Sequence, residues 1–335
     1  MARRMSATEA TECLRLFPKA TRDHLRRMAS TRHPGTLLGP PGSGKSVAAS
    51  CVHALSARAP MEPRFVNVAA LSADLVDREL FGHAKGAFTS AVTAAKGLIE
   101  AAHKSTLVLE EIGDLRLDHQ AKLLDVLESA TVRRIGETFD RAVDVRFLFT
   151  TNSDLPSMLE EGRFRRDLFD RIGWHLIWVP PLARRLGDIP YLVRHFVERL
   201  DGGSGSSISV SDGALALLST HTWPGNVREL ELVIARATTI GEPAVITRQD
   251  VEQALAPQRE IALRRSVRGK RRYVAPSPEE EAHNMRQALS LERGNVTRAA
   301  RRLGMAASTF WGKMKVYRLH DVARQLRRAR GELEG

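Results

Sequence analysis

Apolar and polar positions follow two different periods along the first part of the chain. Up to about residue 180, short runs of β-branched and apolar residues alternate with stretches of helical spacing such as Gln120 to Leu127. The short runs are Thr36 to Leu38, Arg64 to Val68, Ser105 to Leu109 and Val145 to Thr150. This alternation predicts a parallel sheet with crossover helices, which is the α/β class of fold.

The pattern changes between Arg184 and Pro257. Strand-like runs fade there, and apolar residues recur at helical spacing in Ile189 to Leu200, Asp212 to Leu218 and Val227 to Ala237. The spacing predicts a small helical lid that accompanies the α/β part. We interpret the Gly/Ser stretch from Asp201 to Ser207 as a loop within that lid, because helical patterns flank it on both sides.

A basic run separates the lid from the end of the chain. It contains Gly269, precedes Pro276 and Pro278, and holds Arg264, Arg265, Arg268, Lys270, Arg271 and Arg272. Such a run is typical of a linker. The sequence therefore predicts four parts, which are an α/β segment at 1–182, a helical lid at 183–258, a basic linker at 259–277 and an all-α module at 278–335.

Composition narrows the class of protein. The chain of 335 residues is long enough for about two to three domains. No run approaches the roughly 18 apolar residues of a membrane span, and the N-terminus lacks the apolar body of a secretory signal, so we expect a cytoplasmic protein without a membrane partner. Cys13 and Cys51 are too few and too isolated for a disulfide framework or a Cys-rich zinc site, and we expect both to be small buried or half-buried residues.

A phosphate-binding loop is predicted between the strand Thr36 to Leu38 and the helix that follows it. In this pattern, backbone N–H groups point at the phosphates of a nucleotide such as ATP, Lys45 adds a positive charge and Ser46 offers a hydroxyl to Mg²⁺. The candidate residues are Gly39, Pro40, Pro41, Gly42, Ser43, Gly44, Lys45 and Ser46. A Gly/Pro-rich surface turn is the alternative, which the strand-to-helix context disfavours.

Acidic and polar residues follow two further strands. Thr106 to Glu111 is an apolar run that ends in two acids, and a nucleotide hydrolase needs one carboxylate for Mg²⁺ and another to orient water. We assign Glu110 to the metal and Glu111 to the water. The next strand ends in Thr150, Thr151 and Asn152, which would place polar groups beside the γ-phosphate, and we take Thr151 and Asn152 as the candidate site residues. Solvated acids and an ordinary turn are the alternatives for these two sites.

The last part of the chain has the pattern of a helix, a glycine turn and a second helix. This spacing predicts a helix-turn-helix. Its core would contain Ala300, Leu303, Met305, Phe310 and Met314, and its DNA-facing side Ser308, Thr309, Trp311, Lys313 and Lys315. Cationic residues cluster here, namely Arg298, Arg301, Arg302, Lys313 and Arg318, and with the net charge of +12 they favour double-stranded DNA over a purely structural helical hairpin.

Dimerisation is also expected of this module, because helix-turn-helix domains generally bind paired half-sites. Met285, Ala288 and Leu289 lie in the preceding helix and are candidates for the dimer face.

A family resemblance rests on the segment Glu79 to Ala91. Its tip reads Gly-Ala-Phe-Thr-Ser-Ala and resembles the Gly-Ala-Phe-Thr-Gly-Ala loop of bacterial enhancer-binding proteins, the AAA+ ATPases that activate sigma-54 RNA polymerase. The resemblance extends over roughly residues 35 to 320. It implies that this loop contacts sigma-54 through Phe88 and Thr89, within the set Gly86, Ala87, Phe88, Thr89, Ser90 and Ala91. An exposed aromatic at a flexible tip agrees with a partner contact, and a Phe88 that merely packs is the alternative.

Other family positions follow in the same order. The resemblance implies that Asn67 switches the catalytic glutamate, that Arg165 and Arg171 are arginine fingers, and that Arg228 senses nucleotide from the lid. Arginine fingers act on a neighbouring subunit, which implies a ring. Taken alone, Asn67 could be a strand-end cap, and the Arg/Asp-rich segment from Gly162 to Arg171 could be a solvated helix face.

Three departures from the family pattern stand out. Glu110 occupies a position that is usually aspartate, which predicts slow turnover because the carboxylate is displaced by about 1 Å. Ser90 replaces a glycine and narrows the freedom of the loop tip. The phosphate loop ends in Gly44-Lys45-Ser46, where the family usually has Gly-Lys-Glu. Ser46 therefore replaces a glutamate and restores the hydroxyl that usually binds Mg²⁺.

The combined hypothesis is a sigma-54-dependent activator that binds enhancer DNA and hydrolyses ATP in a hexameric ring to remodel the closed polymerase complex. The segment before Gly39 is too short for a sensory domain, so we expect control by a separate protein or by expression level. A DNA-binding regulator or repressor with a diverged AAA+ domain is the alternative that Ser90 and Glu110 motivate. A DNA-remodelling motor is a third, and it leaves the loop from Gly86 to Ala91 unexplained.

Overall fold

The computed structural model describes residues 5–88, 91–201, 208–240, 245–256, 278–292, 294–303, 305, 307–317 and 319–331. The chain forms two compact units, Met1–Gln258 and Arg259–Gly335. The linker predicted at 259–277 and most of the predicted Gly/Ser loop, 202–207, lie outside the described residues. The boundary predicted at residue 182 stays a prediction, because a single compact unit includes both the α/β part and the lid.

The first unit is built on a parallel sheet of five strands, which confirms the predicted α/β fold. The strands of this sheet are β1 (Gly35–Leu38), β2 (Arg64–Asn67), β5 (Thr106–Glu110), β8 (Arg146–Thr151) and β9 (Leu176–Trp178), in the order β2-β5-β8-β1-β9. Three two-residue pairs join β3 (Gly82–His83) to β4 (Ala95–Lys96), β6 (Thr131–Val132) to β7 (Arg141–Ala142) and β10 (Ser209–Val210) to β11 (Val245–Ile246). The edge strand β9 was not predicted.

Register in the sheet brings the functional strand ends together. Asn67 is opposite Glu110, Glu110 is opposite Thr150, and Leu38 is opposite Thr151. All four strands concerned run in the same direction, so their carboxyl ends share one edge. The polar residues that the sequence places after separate strands therefore become neighbours.

Helices cover both faces of the sheet. In the first unit they are α1 (Ala7–Leu14), α2 (Lys19–Ala29), α3 (Lys45–Ala54), α4 (Ala73–Phe81), α5 (Leu98–Ala101), α6 (Leu117–Ser129), α7 (Leu155–Glu160), α8 (Arg166–Ile172), α9 (Ile189–Asp201), α10 (Asp212–Thr220), α11 (Asn226–Ile240) and α12, which includes residues 248–256. Two buried clusters lie on opposite faces, because strand residues alternate between them. Val108 and Leu148 belong to one cluster, and Leu107 and Phe147 to the other.

Two helices that the sequence did not predict precede the sheet. Ser6 caps α1 and forms a capping box with Glu9, and the apolar side of both helices packs in the same cluster as α3. At the carboxyl end of α2, the buried guanidinium of Arg146 donates to the carbonyl oxygen of Ala29. Burial lowers the pKa of Arg146 to about 10. This pairing fastens the N-terminal helices to the start of β8.

The lid consists of α9 to α12 with β10 and β11, which confirms the predicted helical character of this part. Trp223, only 1% exposed, belongs to the buried cluster that also contains Leu37 of the sheet. Its indole Nε1 donates to the carbonyl oxygen of Leu218 at 2.9 Å. The lid and the α/β part therefore share one hydrophobic core.

In its described residues, the second unit has four helices around a core of its own. Its helices are α13 (Pro278–Leu291), α14 (Val296–Arg302), α15 (Ala307–Val316) and α16 (His320–Gly331). Ala300, Phe310 and Met314 are buried as predicted, and Leu303 and Met305 pack against them.

The prediction that Met285, Ala288 and Leu289 form a dimer face of this module was wrong. Met285, Ala288 and Leu289 are at most 2% exposed, because they fill the core of the module itself. Their helical spacing correctly indicated a buried face, but it did not distinguish packing within the chain from packing against another copy. Within the described residues of both units, no helix combines the length and apolar character that a bilayer span requires.

We expect Phe310→Ala to destabilise the second unit by about 3–5 kcal/mol, because the substitution leaves a cavity in a small core. Phe310 is 0% exposed. Hydrogen exchange read by mass spectrometry should rise across α13 to α16 and stay unchanged across the strands of the sheet. Phe149→Ala, at an equally buried position of the sheet, should give the reverse distribution. An equal rise in both units for either variant would contradict their independence.

Candidate functional site

The turn between β1 and α3 forms an open cradle. Gly42 and Gly44 have φ angles of 74° and 104°, a left-handed conformation that glycine adopts without strain. A Cβ at Gly42 would lie 2.4 Å from the carbonyl oxygen of Gly225 in the lid. Helix α3 begins directly after Gly44, so its free N–H groups point into the cradle. This arrangement can hold an anion.

Lys45 lies beneath the cradle and is 7% exposed. Its Nζ donates to the carbonyl oxygens of Gly39 and Pro40 at 2.8 and 3.2 Å. Burial lowers the pKa of this lysine, and the nearby carboxylates Glu111 and Glu110 act in the opposite direction. The ammonium group is thus held next to the loop by backbone oxygens.

The two predicted carboxylates lie at the end of β5 and face different partners. Glu110 accepts a hydrogen bond from the hydroxyl of Ser46. Glu111 has a left-handed φ of 58° and accepts from the backbone N–H of Asn152 at 2.9 Å. The unusual backbone angle turns the second side chain away from the first. One carboxylate therefore lies beside the phosphate loop and the other beside the end of β8.

The polar end of β8 differs in detail from the prediction. Thr150 lines the cavity between the cradle and the carboxylates, whereas Thr151 is buried and its hydroxyl accepts from the N–H of Ser153. Asn152 is exposed and contributes its backbone N–H to Glu111. Thr150 was predicted at this polar strand end but not chosen as a site residue, and its register opposite Glu110 explains its place.

Asn67 lines the same cavity but does not bond Glu111 in this conformation. Its Oδ1 accepts from the N–H of Ala69 at 3.0 Å and caps the turn after β2. This is the cap that the sequence offered as the alternative, and a switching role stays a prediction. The cavity has a volume of about 280 Å³.

A second cavity of about 430 Å³ adjoins the first and shares Gly44 and Val47 with it. It is lined largely by apolar groups of the N-terminal segment, including Leu16 and Phe17, and by residues of the lid such as His195. Burial lowers the pKa of His195. No residue of this cavity was predicted as base-binding, because its walls come from three distant parts of the sequence. Cys13 is another wall residue and is buried, as Cys51 is, which confirms the expectation for both.

The lid contacts the phosphate loop through the start of α11. Asn226 donates from Nδ2 to the carbonyl oxygen of Pro41 at 2.9 Å and accepts at Oδ1 from the N–H of Leu182. The N–H of Val227 donates to the carbonyl oxygen of Gly42, also at 2.9 Å. The next residue, Arg228, is exposed and lines the smaller cavity, as a lid sensor requires. Asn226 was not predicted as part of the site.

Arg185 joins three segments at the entry to the lid. It is 6% exposed, donates to the carbonyl oxygens of Leu16 at 3.0 Å and Ser43 at 2.6 Å, and lies over the ring of Phe17. Burial lowers the pKa of this guanidinium and raises the pKa of its neighbour Asp188. Sequence reasoning missed this residue, because an arginine after a Pro-Pro pair gives no sign that it will be buried.

The two predicted finger arginines lie away from both cavities. Arg165 is 41% exposed and pairs with Asp167 at 2.6 Å, and Arg171 donates to the carbonyl oxygen of Leu127 at 2.8 Å. Neither lines the cavities of its own chain. The structure thus does not bring them together with Lys45 and the glutamates within one subunit.

The loop at 86–91 is described up to Phe88, and Thr89 and Ser90 lie outside the described residues. The expectation of an exposed Phe88 was wrong for this conformation, because the ring is half-buried. The guanidinium of Arg78 lies 4.3 Å from the ring centre, and the ring of His83 lies 4.8 Å away. Gly86, Ala87 and Ala91 complete the described part of the motif.

In the second unit, Thr309, Trp311 and Lys315 are exposed, as DNA-facing residues must be. Lys313 is bonded to Glu281, which also accepts from the hydroxyl of Tyr317. These two donors lower the pKa of Glu281. The side chain of Ser308 and the whole of Arg318 lie outside the described residues.

Three family descriptions match this chain in succession. Residues 17–177 match the Sigma-54 interaction domain, residues 183–266 the AAA+ ATPase lid domain, and residues 277–317 the bacterial regulatory proteins of the Fis family. The first match includes the cradle, both carboxylates and the loop at 86–91. The chain therefore carries an AAA+ ATPase domain of the sigma-54-interacting type.

Curated relatives match this chain over part of their length. The chain is 42% identical to the Nif-specific regulatory protein of Azotobacter vinelandii over 229 residues, which are 68% of this chain and 44% of the relative. It is 37% identical over 286 residues to the regulatory protein AtoC of Escherichia coli, with 84% of this chain and 62% of AtoC covered. The chain thus spans about half to two thirds of the length of these relatives.

Among solved structures, NtrX from Brucella abortus in complex with ATP is similar, at 30% identity and a TM-score of 0.61. The similarity covers 89% of this chain and 67% of that structure. With its three successive domains and these relatives, the chain belongs to the bacterial enhancer-binding proteins, the family of sigma-54-dependent AAA+ regulators.

Proposed function

We propose that the protein activates transcription by sigma-54 RNA polymerase. Bound to enhancer DNA through its Fis-type domain, it hydrolyses ATP in a homo-oligomeric ring and remodels the closed polymerase complex. The observation that carries this proposal is the hydrogen bond from Ser46 to Glu110 beside the glycine cradle. The same chain also has the loop at 86–91. A diverged regulator that ignores sigma-54 is less favoured, because that loop lies within the matched Sigma-54 interaction domain.

The residues of the cradle fit a nucleotide with its metal. The inward N–H groups after Gly44 suit phosphate oxygens, and the adjoining apolar cavity suits a base. Ser46 and Glu110 offer a hydroxyl and a carboxylate oxygen within hydrogen-bond distance of each other, which are ligands that Mg²⁺ prefers. A bound Mg²⁺ ion would neutralise charge that develops on the phosphates in the transition state.

Each side chain of the site then has a distinct task. Lys45 supplies a positive charge beneath the phosphates, and its bonds to loop oxygens keep it there. Glu111 orients the attacking water, while the N–H of Asn152 holds its carboxylate in place. Thr150 adds a hydroxyl to the same wall, and Arg228 reports from the lid whether the cavity is filled. The lid position depends on Asn226 and therefore on the loop itself.

The exposure of Arg165 and Arg171 supports a ring. An arginine finger must reach the γ-phosphate, and neither guanidinium lines the cavities of its own chain. A neighbouring copy that places its cavity against α8 would receive them. Hydrolysis is then complete only at an interface between two subunits, which couples the subunits to one another.

The loop at 86–91 is proposed to transmit the result to sigma-54. Its base is fixed, because β3 pairs with β4 and Gly97 packs against the backbone of Phe81 and Gly82. Its tip is held by weaker contacts of Phe88 with Arg78 and His83. Release of this ring would present Phe88 and Thr89 to the partner while the base stays in the fold.

We expect Gly42→Ala to weaken ATP binding at least about tenfold, since a loss near 1.4 kcal/mol has that effect. The new Cβ would meet the carbonyl oxygen of Gly225 and push the lid from the loop. Isothermal titration with ATP measures the change. Gly162→Ala is the matched control, because Gly162 also has a left-handed φ but no atom within 4 Å of the new Cβ. Equal affinities of the two variants would contradict the role of lid docking.

Arg165→Ala is expected to retain ATP binding and to lose about 10³-fold or more in hydrolysis, because the charge that stabilises the transition state is removed. Phosphate release by the assembled protein is the measurement. Arg166→Ala removes a neighbouring arginine that is 78% exposed and should hydrolyse ATP like the wild type. Lys45→Ala should instead lose binding. Wild-type hydrolysis by Arg165→Ala would remove the finger assignment.

Thr89→Ala should leave ATP hydrolysis nearly intact and abolish binding of sigma-54 in the presence of a nucleotide transition-state analogue. The proposed reason is the loss of a hydroxyl contact at the loop tip. A native-gel shift with purified sigma-54 reads the interaction. Thr93→Ala makes the same chemical change at an exposed site just beyond the motif and should bind normally. A normal shift with Thr89→Ala would show that the loop is not the contact.

A further inference from the structure

A buried glutamine lies between the end of β5 and the segment that carries Arg165. Gln120 is in the first turn of α6 and is 0% exposed. Its Nε2 donates to the carbonyl oxygens of Leu115 at 2.7 Å and Arg163 at 3.1 Å, and its Oε1 accepts from the N–H of Arg165 at 2.8 Å. Both N–H bonds and the oxygen of the amide therefore have a partner.

One end of this network belongs to the hydrolysis site. The turn Ile112–Asp114 directly follows Glu111, and Leu115 closes it by donating to the carbonyl oxygen of Ile112. The turn is packed tightly against the end of β8, because a Cβ at Gly113 would lie 2.6 Å from the hydroxyl oxygen of Ser153. The hydrogen bond from Gln120 to Leu115 therefore connects Gln120 to the turn that follows Glu110 and Glu111.

The other end belongs to the backbone of the finger segment. Phe164 is 2% exposed, and Gln120 bonds the peptide groups on both sides of it, the carbonyl of Arg163 and the N–H of Arg165. The N–H groups of Arg163 and Phe164 also donate to the carbonyl oxygen of Met158. The backbone here is fixed, whereas the side chains of Arg163 and Arg165 extend to the surface and are 60% and 41% exposed.

We propose that Gln120 is a positioning residue for the arginine finger. It holds the backbone of Arg165 at a fixed place relative to the turn after Glu111. The hydrolysis site of a subunit and the Arg165 finger that the same subunit presents to its neighbour therefore move together. This inference rests on the proposed function, in which Arg165 acts on a neighbouring subunit. Gln120 itself contacts neither nucleotide nor water in the reaction.

The first test is Gln120→Met, which keeps the length of the side chain and removes all three bonds. We expect ATP affinity to be unchanged and hydrolysis to fall about 100-fold, the effect of a displacement near 1 Å at a catalytic group. His119→Gln is the control on the same helix. His119 is 3% exposed and faces Asp77 rather than the finger segment, so this variant should hydrolyse ATP normally.

Mixed rings then distinguish a defect in the finger from a defect in the subunit's own site. Gln120→Met has an intact Glu111 and a displaced finger, whereas Glu111→Gln has an inactive site and an intact finger. A productive interface joins the intact site of a Gln120→Met subunit to the intact finger of a Glu111→Gln subunit. Random mixing of equal amounts creates this arrangement at about one interface in four, so hydrolysis should return to roughly a quarter of the wild-type rate. Arg165→Ala mixed with Glu111→Gln is the reference for complementation between subunits.

Each outcome has a defined meaning. Recovery of hydrolysis in both mixtures supports the inference. Recovery only in the Arg165→Ala mixture overturns it, because Gln120 would then act on the hydrolysis site of its own subunit and not on the finger. No recovery in either mixture would overturn the finger assignment and the inference with it. Wild-type hydrolysis by Gln120→Met also overturns it. If Gln120→Met does not fold, Gln120→Glu retains the acceptor for Arg165, loses both donated bonds, and enters the same mixtures.

Discussion

The phosphate loop is held by its carbonyl oxygens, and the rest of the site depends on that constraint. Five successive carbonyls accept hydrogen bonds, from Lys45 at Gly39 and Pro40, from Asn226 at Pro41, from Val227 at Gly42 and from Arg185 at Ser43. Backbone polar groups that are buried must have partners. The N–H groups of Gly39 and Ser43 donate to Thr151 and Pro40 at 3.3 Å, and the first N–H groups of α3 are placed to suit a phosphate. The donors to the loop oxygens come from the helix after the loop, the lid entry and the lid, so all three contact the loop directly.

Much of this site could be predicted from the sequence, because its residues lie next to strand ends. Lys45, Glu110 and Glu111 follow recognisable strands, and parallel register alone makes those ends neighbours. Arg185 and Asn226 could not be predicted in the same way, since their partners are oxygens of the distant loop. Neither residue type nor local spacing indicates which backbone oxygen an amide or guanidinium will meet.

The two wrong predictions have a common physical origin. Met285 and its neighbours show a buried helical face, and Phe88 is an aromatic at a loop tip, but a hydrophobic pattern specifies burial without specifying the partner. The second unit buries Met285 in its own core, and Phe88 packs on a cation that precedes it by ten residues. The edge strand β9 was also missed, although Leu176, Ile177 and Trp178 are all apolar; at the edge of the sheet Leu176 and Trp178 are exposed and Ile177 is buried.

Ser46 and Glu110, two departures from the family pattern, contact each other in the structure. The family usually has a glutamate in the loop and an aspartate on the strand, whereas this chain has the short Ser46 and the long Glu110. The hydroxyl of Ser46 donates to the carboxylate of Glu110, so the longer acid reaches the phosphate loop. A hydroxyl and a carboxylate oxygen therefore lie beside one another, as the proposed Mg²⁺ site requires.

The contacts of Phe88 set the scale of the free energy that release of its ring would require. A cation–π contact of this kind contributes about 0.5–2 kcal/mol, which favours the packed ring by roughly 2- to 30-fold. The strands at the base of the loop, in contrast, are fixed by backbone pairing. A nucleotide whose contacts differ by a few kcal/mol between the two positions of the tip would be sufficient to invert the population. Under the proposed function, a difference of that size at the cradle would be enough to release the ring of Phe88 while the base of the loop stays paired.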